Sequence, residues 1–302
     1  MDFFAQLLTD PGGFYLAHQL LIADVGVNAL LAISIFITLY SGQLTLAQVG
    51  FMAIGAYTSV LMAVHLGTPL ALNALAGAAL AAATGLAVGL PVLRLRGIFL
   101  AIATLGFGEA LRFGVILNLP LTGEGRGLSN LTADPVGGIL PVWVSVALGA
   151  YLFWRLTGTK LGQAWAAIRE DEPAAASGGI DVPRYKLVAF VAGAAVAAYA
   201  GALDAHLSFF IDPTRYTVSR AIQVLTFAVV GGSTNVFGPI VGAVFLDSLP
   251  EVIRQAANYR DVINGLVLIL VIVFRPQGIV GRGGLAVVRP RWWPRARADA
   301  PA

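Results

Sequence analysis

The stretch GQAWAAIREDEPAAASGGIDVPRYKLVAFVAGAAVAAYAGAL, residues 162–203, joins two kinds of sequence that rarely adjoin in a soluble protein. Its first half carries Arg169, Glu170, Asp171 and Glu172 side by side, whereas residues 187–203 contain no charged residue. An apolar run of that length is typical of a membrane-spanning helix. The stretch therefore predicts a polar segment outside a bilayer that leads directly into a span.

The rest of the chain has the same apolar character. Its 302 residues are 58% hydrophobic and 12% charged, with a mean hydropathy of +0.81. Apolar length predicts spans at about residues 16–40, 44–66, 70–93, 98–117, 138–154, 187–210 and 262–274. The fold class is therefore an all-α polytopic membrane protein, a bundle of about 8–10 transmembrane helices.

Residues 221–249 interrupt this regular pattern. Two apolar pieces, each too short to cross a bilayer alone, flank the polar sequence GGSTNVFG at 231–238. We expect either two short, broken helices joined by a turn or two ordinary helices that are tilted and extended by their flanks. We also expect one transmembrane domain over residues 1–285, a cytoplasmic segment at 158–185 and a flexible, basic cytoplasmic tail at 286–302.

Basic residues predict the orientation of the chain. An external N-terminus places 13 Lys and Arg residues on the cytoplasmic side and 5 outside, with Arg112 inside a span. This bias favours an N-terminus outside and a C-terminus inside. It also accounts for the net charge of +3, so no nucleic-acid partner is expected. The first ten residues hold two Asp and no Lys or Arg, which disfavours a cleaved signal peptide.

The charged segment has helical spacing. Leu161, Trp165 and Ile168 share one face of a short helix, and Pro173 suits the first turn of a second helix capped by Asp171 or Glu172. The Gly178–Gly179 pair would end that second helix. Two amphipathic helices against the inner membrane surface, or a solvated loop with local ion pairs, are both compatible with this pattern.

Polar residues inside the spans are the candidates for a translocation path. Glu109 and Arg112 lie three residues apart on one helix face and can pair. Each side chain would cost free energy to bury in lipid without a partner. The pair therefore lines a pathway, ties two helices together, or lies near enough to the membrane surface to contact water. Glycines such as those of GLAVG (85–89) and GPIVG (238–242) predict close helix packing. The path candidates are Gln43, Thr45, Gln48, Thr104, Glu109, Arg112, Gly231, Gly232 and Gly238.

Catalytic motifs are missing from the sequence. It has no GxxxxGK[ST] loop, no GxSxG elbow and no HExxH helix, and with no Cys and three His a metal site has little support. We therefore expect no enzyme activity and no cofactor bound by this chain. If ATP drives its function, ATP and Mg²⁺ bind to another subunit.

Six stretches, in order, resemble the permeases of branched-chain amino acid ABC importers of the Liv type. They are SGQLTLAQVGFMAIGAY (41–57), RGIFLAIATLGFGEALR (96–112), LTGEGRGL (121–128), residues 162–203, VVGGSTNVFGPIVGA (229–243) and LVLILVIVFRPQGIVG (267–281). The second stretch and AIREDE favour the M-type over the H-type permease. Thr45-Leu46-Ala47 and Glu124 depart from the usual family pattern, which leaves the solute open between branched-chain amino acids and urea, amides or small organic acids.

The resemblance implies an ABC importer permease fold in a bacterial inner membrane and several partners. These are a second permease, identical or paralogous, two ATPase subunits and an extracytoplasmic solute-binding protein. It also implies that the charged segment is the helix that couples the permease to the ATPase, through Gly162, Trp165, Ile168, Arg169, Glu170, Asp171, Glu172, Ala174, Ala175 and Gly179. An ion-gradient-driven secondary transporter using Glu109, Asp24 or Asp204 is the alternative.

Overall fold

The computed structural model describes residues 18–118, 120–123, 126–129, 134, 137–232, 235–252, 265–266, 269 and 279–280. Ten α-helices have defined bounds in this part of the chain. They are α1 Gln19–Tyr40, α2 Gln48–Leu66, α3 Leu70–Val92, α4 Ile98–Leu111, α5 Ile139–Thr157, α6 Lys160–Glu170, α7 Glu172–Ser177, α8 Val182–Leu207, α9 Val218–Gly231 and α10 Phe237–Val252. The all-α fold class is confirmed.

Among the described residues, five helices are long and apolar enough to cross a membrane, namely α1, α2, α3, α5 and α8. The predicted fourth span is the 14-residue helix α4 followed by a five-residue π-helical turn, Arg112–Ile116. The second span begins at Gln48 rather than at residue 44, because residues 43–47 are not helical. The predicted span 262–274 and the tail 286–302 lie largely or wholly outside the described residues.

Helix α8 is the centre of the bundle and packs against α1, α2 and α3. Small residues allow this close contact: Gly55 of α2 lies against the backbone of Ala198, and Gly201 of α8 lies against the backbone of Met52. In lipid, where burial of apolar surface does not drive association, such close backbone approach supplies the packing contacts. The glycines predicted to pack helices do so, because Gly85 and Gly89 of α3 also lie against α8.

The interrupted region folds as two short helices, α9 and α10, that pack against each other and against α1. Gly231 and Gly242 lie at the crossing, where their α-carbons face the backbone of the opposite helix. The prediction of two short helices with a turn at the glycines is confirmed over the described residues. A two-residue strand β1, Leu128–Ser129, pairs antiparallel with β2, Phe210–Ile211. Strand β2 follows the C-terminal end of α8, whereas α6 and α7 precede its N-terminal end.

Candidate functional site

Helices α6 and α7 form an elbow between the two long helices α5 and α8. The side chain of Asp171 caps α7 by accepting a hydrogen bond of 3.0 Å from the amide of Ala174, and Pro173 occupies the first turn. Gly179, with a φ of +85°, follows the end of α7 in the left-handed region that favours glycine. The two predicted helices are confirmed, and Asp171 rather than Glu172 is the cap.

One face of the elbow is packed onto the membrane helices. Trp165 is 1% exposed, stacks on Phe153 of α5 and donates a 2.9 Å hydrogen bond from Nε1 to the carbonyl of Tyr185 in α8. Ile168 is buried with Ala175 and Val182. Gly162 lies so close to Thr157 of α5 that a Cβ would be 2.5 Å from its Cα. These contacts fix the elbow to the ends of α5 and α8.

Charge interactions extend this attachment to α1 and α3. Lys186 of α8 donates to Glu172 at 2.7 Å, and Arg96 beyond α3 lies 3.4 Å from the same carboxylate. The Lys186 side chain is 10% exposed, so the carboxylate neutralises an ammonium that would otherwise be costly to bury. Arg169 lies over the ring of Tyr40, at the end of α1, with 4.9 Å between its Cζ and the ring centroid.

The opposite face of the elbow is exposed. The predicted coupling residues therefore divide into two groups: Gly162, Trp165, Ile168 and Ala175 are buried, whereas Glu170, Asp171, Ala174 and Gly179 are exposed. Arg169 and Glu172 are half-buried between them. Exposed residues outside the predicted coupling set include Gln163, Pro173 and Ser177. We call the exposed residues Gln163, Glu170, Asp171, Pro173, Ala174, Ser177 and Gly179 the elbow surface.

The path candidates of the second span are inside the chain. Gln43, Thr45 and Gln48 are at most 2% exposed, and they belong to the non-helical stretch 43–47 and the first residue of α2. Gln48 donates to Thr45 at 2.8 Å, and Gln43 donates to the carbonyl of Lys186 at 2.9 Å. Irregular backbone is tolerated at membrane depth when protein groups satisfy it, and the amide of Gln43 donates a 2.9 Å hydrogen bond to the carbonyl of Thr38 in α1.

Thr104 of α4 completes this buried cluster. Its hydroxyl accepts a 3.0 Å hydrogen bond from the amide of Leu46, so α4 is tied to the non-helical stretch. The Oε1 atoms of Gln43 and Gln48 are buried and accept no hydrogen bond within the described part of the chain. The structure thus brings four of the sequence candidates together, but as an internal polar contact between helices rather than on an open surface.

Glu109 and Arg112 form the predicted ion pair. Arg112 donates from Nε at 3.0 Å and from Nη2 at 2.6 Å to the same carboxylate oxygen. The side chains are 22% and 18% exposed. Beside Glu109, a small crevice separates α4 from Gly50 of α2 and Val218 of α9. The pair begins the π-helical turn, a distortion that is frequent at functional sites.

The glycine candidates mark the crossing of α9 and α10. Gly231 ends α9, Gly238 is the second residue of α10, and a Cβ on Gly238 would meet the backbone of Gly231 and Gly232. Gly232 has a φ of +121°, which excludes most other residues. The carbonyl of Gly231 accepts a 2.9 Å hydrogen bond from the amide of Val280. A later part of the chain therefore packs onto this break.

A charged network at the opposite end of the bundle was only partly visible in the sequence. Arg220 of α9 donates to Asn28 of α1 at 2.7 Å and lies 3.9 Å from Asp24, while Asn28 donates to Asp247 of α10. The spacing of Asp24 and Asn28, four residues apart in an apolar span, was the available signal. No sequence pattern indicated that Arg220 and Asp247 belong to the network, because their partners are distant in sequence.

A second ion pair lies beside this network. Arg215 is 3.4 Å from Asp204 of α8, and both border a cavity of about 830 Å³ between α1 and the end of α8. Burial raises the pKa of the neighbouring Tyr216 well above its ordinary value, and Asp204 adds to this rise. The Tyr216 phenol is therefore neutral at physiological pH. Within the described residues, no cluster of His, Asp and Glu could hold a metal ion.

Comparison with known proteins decides the family. Residues 20–272 match the family model described as the permease component of the branched-chain amino acid transport system. The chain belongs to this family. The permease is 32% identical over 292 residues to LivM, the high-affinity branched-chain amino acid transport system permease protein of Escherichia coli K12. The aligned region covers 86% of this chain and 67% of LivM.

Other relatives match shorter regions of the permease. LivH of Escherichia coli K12 is 34% identical over 127 residues, 41% of each chain. LsrC of Shigella flexneri, an autoinducer 2 import system permease, is 31% identical over 156 residues, 49% of this chain and 46% of LsrC. No solved structure matches the permease. The longer match to LivM confirms the prediction of an M-type rather than an H-type relative.

Family membership also settles the class of protein. The chain is the non-catalytic transmembrane component of a bacterial ABC importer and a multi-pass membrane protein. This result decides against the alternative of an ion-gradient-driven transporter. It leaves the roles of individual residues to be inferred from their positions.

Proposed function

We propose that this permease moves a branched-chain amino acid, or a small polar solute related to it, inward across the bacterial inner membrane. Its partners are a second, paralogous permease, two ATPase subunits and an extracytoplasmic solute-binding protein. The similarity to LivM, a branched-chain amino acid transport permease, and the partial similarity to LivH support this assignment of solute and partner. ATP and Mg²⁺ act on the ATPase subunits, and the permease supplies the path.

The elbow is the observation that carries the proposal. Its buried face holds Trp165 and Ile168 against α5 and α8, while the elbow surface stays exposed. An element fixed at several points transmits a push as a rigid-body movement instead of deforming locally. Closure of an ATPase dimer against the elbow surface would therefore move α5 and α8 together. Glu170 and Asp171 give that surface a negative charge for a basic groove.

We assign the surface that contacts the second permease, and the solute path, to the side of the chain that α4 forms. A partly exposed ion pair such as Glu109 with Arg112 is unfavourable against lipid and usually faces protein or water. We infer that this pair and the crevice beside it face the second permease. The cluster of Gln43, Thr45, Gln48 and Thr104 supports the path from behind, and the break at Gly231, Gly232 and Gly238 lets α9 and α10 adjust.

The solute-binding protein is assigned to the opposite end from the elbow. Residues 128–129 and 210–211 pair as β1 and β2, so the two loops that contain these strands form one surface on which that protein can dock. With the elbow in the cytoplasm, this surface lies on the extracytoplasmic side of the membrane, and the N-terminal end of α1 lies on the same side. The orientation agrees with the excess of Lys and Arg on the cytoplasmic side.

Single-cysteine crosslinking tests the coupling role, since the chain has no native Cys. Ala174 is exposed and Ala175, its neighbour in α7, is 6% exposed, so the two alanines make a matched pair. Ala174→Cys is expected to crosslink to an ATPase subunit with a yield that changes when ATP is added. Ala175→Cys should give little product. Equal yields from both positions, or none from any position on the elbow surface, would refute the assignment.

Transport by the assembled importer tests the solute. Uptake of radiolabelled leucine into proteoliposomes should require ATP and the binding protein, and unlabelled isoleucine or valine should compete. Urea, amides and small organic acids are the controls, because related permeases handle them. ATP-dependent uptake of one of those solutes, with none of leucine, would keep the importer and replace the substrate class.

A further inference from the structure

A cavity of about 410 Å³ opens at the elbow end of the bundle, between α3 and the start of α8. Both charged and apolar side chains line it. Its cations are Arg94, Arg96, Arg184 and Lys186, and Glu172 is the carboxylate among the lining residues. Its apolar part consists of Leu90, Leu93 and Leu187, with Gly89 and Val182.

The charges of this cavity do not balance. The four cations outnumber the one lining carboxylate by three, and Asp181, which pairs with Arg184 from outside the lining, reduces this excess to two. Glu172 is shared by Lys186 at 2.7 Å and Arg96 at 3.4 Å. Arg184 pairs with Asp181, and Arg94 has no carboxylate partner among the residues that the structure describes. Lys186 is neutralised by Glu172, so the excess positive charge lies mainly on Arg94 and Arg96, whose guanidinium groups favour an anion.

Exposed apolar side chains adjoin the apolar part of the cavity. Only 22% of the apolar window of α3 is buried, and Leu86 and Leu90 are 47% and 60% exposed. On α8, Val188 is 46% exposed beside the cavity. A free phosphate would leave this surface uncovered, whereas a lipid would place an acyl chain on it. Basic pockets between membrane helices on the cytoplasmic side suit acidic headgroups.

We propose that this cavity binds an anionic phospholipid of the inner leaflet. Its phosphate lies among the guanidinium groups of Arg94, Arg96 and Arg184, and one acyl chain follows Leu90 and Leu93. Because Arg96 also holds Glu172, the first residue of α7, the bound lipid shares a cation with the elbow. The consequence for coupling rests on the proposed function of the elbow, but the binding site does not.

Electron spin resonance with spin-labelled phosphatidylglycerol tests the site in the purified permease complex, reconstituted in phosphatidylcholine bilayers. The variant is Arg94→Gln with Arg184→Gln, two exposed side chains. The matched control is Arg155→Gln with Lys160→Gln, which removes the same charge from the elbow end of the bundle, outside the cavity. Removal of each cation is expected to weaken the preference for phosphatidylglycerol about fivefold, so the double variant should lose roughly 25-fold. The control should change by less than about twofold.

Several results would overturn the site. Equal losses in both pairs would show diffuse attraction of acidic lipid to a basic surface. Displacement of the labelled lipid by millimolar glycerol phosphate would show a site for free phosphate. Absence of any phosphatidylglycerol preference in the wild type would exclude it directly. If the glutamine pair unfolds, Arg94→Lys with Arg184→Lys keeps the charges and should keep the preference within about threefold.

Discussion

Replacement of Gly55 by Ala is expected to destabilise the bundle at its centre. The new Cβ would lie 2.6 Å from the Cα of Ala198 and would also overlap the Ala198 carbonyl. Carbon atoms in contact are normally about 3.5–4.0 Å apart, so α2 and α8 must separate by roughly 1 Å. A change of rotamer cannot relieve the clash. The Cβ of alanine is fixed by the backbone of α2, and the atoms that it meets belong to the backbone of Ala198.

The magnitude follows from two opposing effects. Overpacking costs about 1–3 kcal/mol, and a contact that cannot rotate away belongs at the upper end. Ala in place of Gly within a helix returns about 0.5–1 kcal/mol. The net loss is therefore about 2 kcal/mol, which corresponds to a melting temperature lower by roughly 4–8 °C on the soluble-protein scale.

Thermal unfolding of the purified permease, followed by Trp fluorescence, measures this loss. Gly149→Ala in α5 is the matched control, since its Cβ would lie 3.7 Å from Leu30 Cδ2, an ordinary contact distance. The control should melt at or slightly above the wild-type temperature. A Gly55→Ala variant as stable as the control would refute the close packing of α2 on α8.

Three other changes test the ion pairs and the elbow. A double-mutant cycle of Glu172→Gln and Lys186→Met should give a coupling energy of about 1.5–3 kcal/mol in thermal unfolding, because the ammonium is buried; a value below about 0.5 kcal/mol would contradict the pair. Trp165→Phe keeps one six-membered aromatic ring but loses the indole N–H and the rest of the buried indole, so it should cost about 1–3 kcal/mol. Trp165→Ala should cost about 3–5 kcal/mol. Arg220→Gln should lower the yield of folded permease from detergent, while Arg126→Gln in an exposed loop should leave it unchanged; equal yields would remove Arg220 from the network.

Features set by neighbouring residues were predictable. The apolar lengths of α1, α3, α5 and α8 gave spans whose ends lie within a few residues of the observed helices. A cap at Asp171 or Glu172 and the end of α7 before Gly179 also followed from local chemistry, because an N-cap and a left-handed glycine act over one helical turn. The structure decided between the two carboxylates for Asp171. The non-helical stretch 43–47 was missed, since its apolar composition resembles that of a helix.

A bundle of membrane helices interrupted by a charged elbow can be predicted from the order of the residues alone, because apolar length and capping residues act over short distances. Which polar groups meet depends instead on how the helices pack. Arg220 reaches Asn28, 192 residues away, and Lys186 takes Glu172 as its partner. The same packing places Thr45 and Gln48 inside the chain instead of on an open wall. The physical reason is that a buried polar group is stabilised by whichever partner the packing of helices brings within hydrogen-bonding distance, and that packing depends on contacts spread over the whole chain.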